Sequence, residues 1–249
     1  MTIIRGRRIL AAPCCGARYT IPHYVSVHYS AFKHWTDGWR DFSLMPNDTG
    51  LRHCQCGQFF LLKRTVDMGI EDSSELPLIQ QVRDEDLAEC ISLKHDVEIE
   101  VAARRAYWWH LNHKYRDKYR QHRDAEEGTT KEKWESTISS NRNWIDRFFR
   151  RKSPIYSRSP DSPFTWPAFE PTIEQLENMK RLSDILSDRE ANSKNQIATE
   201  LAELFREQSA FSEAELAIND IGGEHDTVAT RLILKLIHKE QSAPMRFRM

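Results

Sequence analysis

No stretch of this 249-residue chain approaches the roughly 18 consecutive apolar residues that span a bilayer, so a membrane-spanning helix is not expected. Residues 1–12 are not expected to act as a secretory leader either, because Ile9-Leu10-Ala11-Ala12 is too short an apolar core and Pro13-Cys14 follow at once. A glycine-rich phosphate loop, a Gly-x-Ser-x-Gly nucleophile elbow and a His-Glu-x-x-His helix are all absent, and with them the common signatures of three hydrolase classes. Neither sign of charge dominates: 36 Lys and Arg stand against 37 Asp and Glu, which argues against a general nucleic-acid groove. The five cysteines form two close pairs with Cys90 alone, and an odd count of this kind is not a disulfide framework. These absences together predict a soluble, cytoplasmic, non-catalytic protein in a reducing compartment.

What is present is aromatic and unevenly charged. Seven Trp, seven Tyr and eleven Phe supply enough apolar surface for a folded core. Residues 100–160 hold 15 Lys and Arg against 8 Asp and Glu, whereas residues 170–226 hold 5 against 14. Such asymmetry either packs one half against the other or steers a charged partner.

The periodicity changes along the chain. Between Ile3 and Val66, β-formers alternate in Tyr24-Val25-Ser26-Val27-His28-Tyr29 with turn signals at Asp37-Gly38, Pro46-Asn47-Asp48 and Gly50, which reads as short antiparallel strands. From Leu78 helices dominate: one long helix or two over Asp84–Gln121, then a second helical region over Thr130–Arg151. Prolines at 154, 160, 163, 167 and 171 bar any helix from crossing that stretch. Thr172 then reads as the N-cap of an amphipathic helix, with further helices over Gln196–Gln208, Ser212–Asn219 and Asp226–His238 and a break at Gly222-Gly223. The fold class is therefore α+β, mainly α: a small antiparallel zinc-ribbon-like β module (1–67), an aromatic and basic helical region (78–152), a Pro-rich connector (153–171) and an acidic helical array (172–241).

Cysteine spacing carries the clearest chemistry. Cys14-Cys15-Gly16 and Cys54-Gln55-Cys56-Gly57 each end in the Cys-Gly of a tight metal knuckle, about 40 residues apart. If Cys15 and Cys56 are the second ligands of their knuckles, the first falls at Ala12 in one and at His53 in the other. The candidate ligands are then Cys14, Cys15, His53, Cys54 and Cys56. Adjacent cysteines on an extended backbone point to opposite faces, which strains such a site. Zinc fills it, or the ribbon persists without metal and the thiols pack as small hydrophobes beside Phe59 and Phe60.

Pro13-x-Cys15-Gly16, Thr36-Asp37-Gly38, Leu44-Met45-Pro46 and Cys54-x-Cys56-Gly57 together resemble the opening of a little-characterised bacterial family. In that family an N-terminal ribbon carries two Cys-Pro-x-Cys-Gly knuckles around an Asp-Gly and Met-Leu-Pro segment. Arg104-Arg105-Ala106-Tyr107-Trp108-Trp109 with Asn112 is similar to its Ala-Trp-Trp segment, and Ala12 departs from the pattern where the first knuckle Cys would stand. Leu201-Ala202-Glu203-Leu204-Phe205 followed by Ser209-Ala210-Phe211-Ser212-Glu213-Ala214 is similar to the turn of a tetratricopeptide helix pair. The resemblance implies a fold more than an activity.

The remaining signals are weaker. Arg104–Arg123 interleaves Tyr107, Trp108, Trp109, Tyr115 and Tyr119 with arginines and lysines, a mixture that tracks phosphates and stacks on bases, or packs its aromatics inward with solvated cations outside. His110 and His113 stand three apart near Asp117 with no partner motif, and Cys90 lies on an apolar helix face. The expected function is binding of a protein partner, best matched by an immunity protein that neutralises a co-encoded secreted toxin such as a basic nuclease. The alternative is a zinc-ribbon nucleic-acid-associated regulator.

Overall fold

The computed structural model describes residues 3–26, 33–41, 47–141, 166–188, 194–219 and 227–247. Two compact units divide the chain: Met1–Asn112 with Glu170–Met249, and His113–Phe169. The fold is α+β and mainly helical, with small antiparallel sheets preceding the helices.

In the first unit, β1 (Ile3–Ala11) is flanked by β2 (Arg18–Ser26) and β7 (Val66–Glu71). A second sheet places β3 (Lys33–Trp35) between β4 (Arg40–Asp41) and the C-terminal β8 (Arg246–Phe247). The hairpin of β5 (Leu51–His53) and β6 (Phe59–Leu61) stands apart, with Leu51 opposite Leu61 and His53 opposite Phe59. Two hairpin turns resemble each other. The Gly16 N–H bonds the Ala12 carbonyl (2.9 Å) and the Gly57 N–H bonds the Cys54 carbonyl (2.8 Å). Both glycines have φ near +80°, a left-handed backbone that a side chain disfavours.

The helices are α1 (Asp84–Ser92), α2 (Val97–Asn141), α3 (Ile173–Ser187), α4 (Lys194–Glu207), α5 (Phe211–Asn219) and α6 (Val228–Ile237). Thr172 does cap α3, its hydroxyl accepting from Gln175 N–H, and Thr227 caps α6 through Thr230 N–H. At the head of α2 the Asp96 carboxylate accepts from the N–H groups of Glu98 and Ile99 and also holds Arg64. The two helical regions expected around Gln121 and Thr130 are one continuous helix. Gly128 sits within it, a cost of about 1 kcal/mol that a long ladder of backbone bonds absorbs. The stretch 142–165, the Leu44-Met45-Pro46 segment and the Gly222-Gly223 break lie outside the described residues.

Packing follows the apolar stripes. Leu51, Phe59 and Leu61 of the small hairpin bury against Leu87 and Cys90 of α1 and against Ile99, Ala102 and Ala103 of α2. Val101 and Trp108 of α2 meet Met179, Leu182 and Leu186 of α3 and Leu204 of α4. Ala202, Ala214, Ile218, Ile233 and Ile237 join α4, α5 and α6. Each fully buried Leu, Ile or Met contributes about 1.5–3 kcal/mol of transfer free energy. In the second unit Tyr115 packs edge-on against Phe169, with ring centroids 5.1 Å apart, and Tyr119 lies near Trp166. No helix among the described residues is long and apolar enough to cross a membrane.

Candidate metal centre and charged pocket

The two knuckles bring four sulfurs together. The Sγ atoms of Cys14, Cys15, Cys54 and Cys56 all lie within 4.8 Å of one another, with Cys15–Cys54 at 3.4 Å and Cys14–Cys56 at 3.5 Å. A tetrahedral zinc with Zn–S bonds of about 2.3 Å needs sulfurs about 3.8 Å apart, so the set fits the ion. The strain expected from adjacent cysteines does not arise. Cys14 and Cys15 sit in the turn between β1 and β2, where the alternation of an extended strand does not apply. His53 is not a member of the group: its ring stacks on Phe59, with centroids 4.5 Å apart and planes 13° apart.

One sulfur is the focus of the cluster. Burial pushes the Cys54 thiol up, but the Cys56 N–H, the Tyr19 hydroxyl and the thiols of Cys14 and Cys15 all favour its thiolate and bring it down to about 6. Cys14 moves the other way, raised by burial and then by its hydrogen bonds to Cys54 and Cys56. The Tyr19 hydroxyl is 3.4 Å from the Cys54 sulfur and also accepts the Gln55 N–H, so it orients the knuckle from beneath. Buried Ala12, Tyr19 and Phe60 enclose the base of the centre, while Cys14, Cys15 and Cys56 remain exposed.

A second constellation was not read from the sequence. Asp37, Asn112, Gln175, Glu203, Arg206 and Glu207 are all buried polar side chains. Asn112 Nδ2 donates to Asp37 Oδ2 and to Glu207 Oε2, each at 3.0 Å, while its Oδ1 accepts from Gln175. Trp108 Nε1 donates to Glu207 at 2.8 Å. Arg206 forks onto Glu203 and donates to the Gln241 carbonyl, and Thr36 Oγ1 accepts the Met245 N–H, so the network ties α4 and β3 to the C-terminal residues. Arg206 thus pairs with Glu203, while Asn112 links Asp37 to Glu207. Burial, then the charges of Glu203 and Asp37, hold the Glu207 carboxyl well above the usual glutamate range. Glutamates 200, 203 and 207 with Arg206 form a stripe at helical three- and four-residue spacing, a sequence signal that could have found this cluster.

Beside this network lies a cavity of about 570 Å³ whose lining includes Asp37, Asp48, Arg105, Trp108, Trp109 and Glu200. Arg105 forks onto Glu200 at 2.6 and 2.8 Å, and Arg52 forks onto Asp48 at 2.8 and 2.6 Å. Trp109 Nε1 donates to the Asp37 carbonyl, and the Trp39 N–H caps the Asp37 carboxylate. The sequence marked Asp37-Gly38 as a turn and as part of the family resemblance but not as a buried polar site, because a turn residue whose side chain faces inward has no local signature.

The other candidates fall elsewhere. His110 pairs with Asp84 and stacks on Tyr107, His113 pairs with Asp117, and neither belongs to a metal-holding group among the described residues. Cys90 is buried, and desolvation pushes its thiol up to about 12. In the aromatic and basic stretch, Tyr115, Arg116 and Tyr119 are buried, whereas Lys114 and Lys118 are exposed. Comparison with protein-family models, with curated proteins and with solved structures finds no match.

Proposed function

We propose that this chain is a non-catalytic binding protein that recognises a basic protein partner through its helical body, with the cysteine ribbon as a zinc-held support. The observation that carries this reading is the exposed surface of α3 to α5. Among the described residues from 170 to 219, the exposed charges are Glu170, Glu174, Glu177, Asp184, Asp188, Glu213 and Glu215 against Lys180 and Arg181 alone. Ile173 of α3 and Leu216 of α5 are also exposed, at 77% and 70%. Apolar side chains amid one sign of charge suit a partner of opposite charge, which the field steers and the apolar contacts hold.

The finer reading is an immunity protein that sequesters a co-encoded secreted toxin. A nuclease suits the acidic surface best, since a cleft built to hold phosphates is itself basic. The test is co-expression with the product of the neighbouring reading frame. Co-elution as a salt-sensitive complex, with relief of that product's toxicity, is the expected result; separate elution with undiminished toxicity would sink it.

Cys14, Cys15, Cys54 and Cys56 would hold the zinc. A closed four-thiolate site leaves no open coordination position, so the ion would supply folding free energy to the β1–β2 and β5–β6 turns and no chemistry on a substrate.

A further inference from the structure

Three of the four clustered cysteines, Cys14, Cys15 and Cys56, are exposed, and Cys54 alone is buried. Oxidation follows access to the sulfur, and this centre presents its sulfurs to solvent. The close pairs also have a direction. Cys15 faces Cys54 at 3.4 Å across 39 positions of sequence, and Cys14 faces Cys56 at 3.5 Å across 42. Each pair therefore joins the β1–β2 turn to the β5–β6 turn, which is the connection that one zinc held by all four thiolates would make.

What such a tether holds reaches the core. The β5–β6 hairpin buries Leu51, Phe59 and Leu61 against α1 and α2, while Tyr19 of β2 touches Cys54 and accepts the Gln55 N–H. A cross-link between the two turns restricts the unfolded chain by closing the same loop of about 40 residues, whether metal or sulfur closes it.

We infer that the four-cysteine centre is an oxidant-responsive exchange site, in which hydrogen peroxide converts the zinc-held form into a metal-free form tied by two disulfides between the knuckles, Cys15–Cys54 and Cys14–Cys56. This rests on the zinc-held reading of the ribbon. For each disulfide the O–O bond of one peroxide breaks, one oxygen passing to an exposed sulfur as a sulfenic acid and the other leaving as water. The sulfur opposite then attacks, the S–S bond forms and the second oxygen leaves as water, its protons drawn from the thiols or, for thiolates, from solvent. The two cysteines lose one electron each, and the peroxide takes both. A disulfide sulfur carries no charge with which to ligate zinc, so the ion leaves while the turns stay joined.

The full chain, loaded with zinc, is titrated with hydrogen peroxide while a zinc-binding dye follows the released ion. Release is complete at about two peroxides per zinc, and the product is about 4 Da lighter than the reduced, metal-free chain. Cys90 is then the one cysteine that alkylates after denaturation. Trypsin leaves Ile9–Arg18 and His53–Lys63 as one linked species, whereas disulfides within the knuckles leave two separate peptides. The oxidised chain melts about 5 °C or more above the reduced chain kept metal-free by a chelator, and dithiothreitol with zinc restores the starting form. Cys14→Ser with Cys15→Ser gains nothing from peroxide in the same comparison. A chain that takes up no zinc removes the zinc-held support and the exchange with it. A chain that binds zinc but yields separate peptides, sulfinic acids, or an oxidised form melting with the reduced metal-free chain keeps the support and overturns the exchange. An equal gain in the double serine variant overturns it as well.

Discussion

Asp37 and Glu207 share one hydrogen-bond donor: the amide nitrogen of Asn112 lies 3.0 Å from a carboxylate oxygen of each. Asp37 follows β3, Asn112 lies on α2 and Glu207 ends α4, so a single side chain joins three elements distant in sequence. Replacing it with alanine removes that donor and leaves Gln175 without its acceptor on Asn112. Asn112→Ala is expected to cost about 2–4 kcal/mol, well above a surface change. Urea unfolding measures it, and a loss comparable to an exposed control such as Glu213→Ala would show that the network is not holding these elements.

Glu207 makes stability depend on pH in a defined direction. Its carboxyl is raised in the folded state, so the native chain keeps a proton that the unfolded chain releases above the ordinary glutamate value of 4.5. Its contribution is full below that value and is lost progressively as pH climbs toward the folded-state value. Glu207→Gln keeps the shape and a carbonyl acceptor for Trp108 but cannot ionise. The variant should gain on the parent steadily from pH 5 to pH 8. Parallel stability curves over that window would mean the carboxyl is not held neutral.

Much of this architecture is legible in the sequence because it is local. Thr172 sits where an N-cap is needed, and the amphipathic stripes of α3 to α6 are carried by residues three and four apart. Cys-Gly at both knuckles marks two left-handed turns, and the spacing brings all four thiols into one cluster. What sequence did not disclose depends on long-range pairing. β8 is two residues long and finds β3 across more than 200 positions, with no periodicity of its own. Glu203, Arg206 and Glu207 carry no local mark of burial, because nothing nearby in sequence says that Thr36, Asn112 and the C-terminal residues close over them. His53 looked like a ligand from its offset alone, while the fold turns its ring onto Phe59.

That placement of His53 separates two ligand sets. Purified protein should carry one zinc per chain, and Cys54→Ser should abolish stoichiometric retention because Cys54 contacts both Cys15 and Tyr19 within the cluster. His53→Ala should retain the metal fully. Chelation should lower the melting temperature of the parent, since the ion binds only the folded knuckles. Zinc loss in His53→Ala, or a chelator with no thermal effect, would exclude a four-thiolate structural site.

The same geometry sets which disulfides form when metal is removed and the thiols meet hydrogen peroxide. The near pairs run between knuckles, Cys15 with Cys54 at 3.4 Å and Cys14 with Cys56 at 3.5 Å, so a sulfur–sulfur bond needs about 1.4 Å of closure in each. Each bond uses one peroxide: the O–O bond breaks, two thiol protons leave with the oxygens as two waters, and the cysteines are oxidised. Ile9–Arg18 and His53–Lys63 each hold both cysteines of one knuckle, so digestion alone does not tell the pairings apart and double variants must. Cys14→Ser with Cys56→Ser keeps the Cys15–Cys54 pair and should close rapidly. Cys14→Ser with Cys54→Ser leaves Cys15 and Cys56, which is neither close pair, and should close more slowly. Equal rates in the two double variants would show that the turns are too loose for the sulfur positions to select the product, and the case for a preformed metal centre would weaken with them.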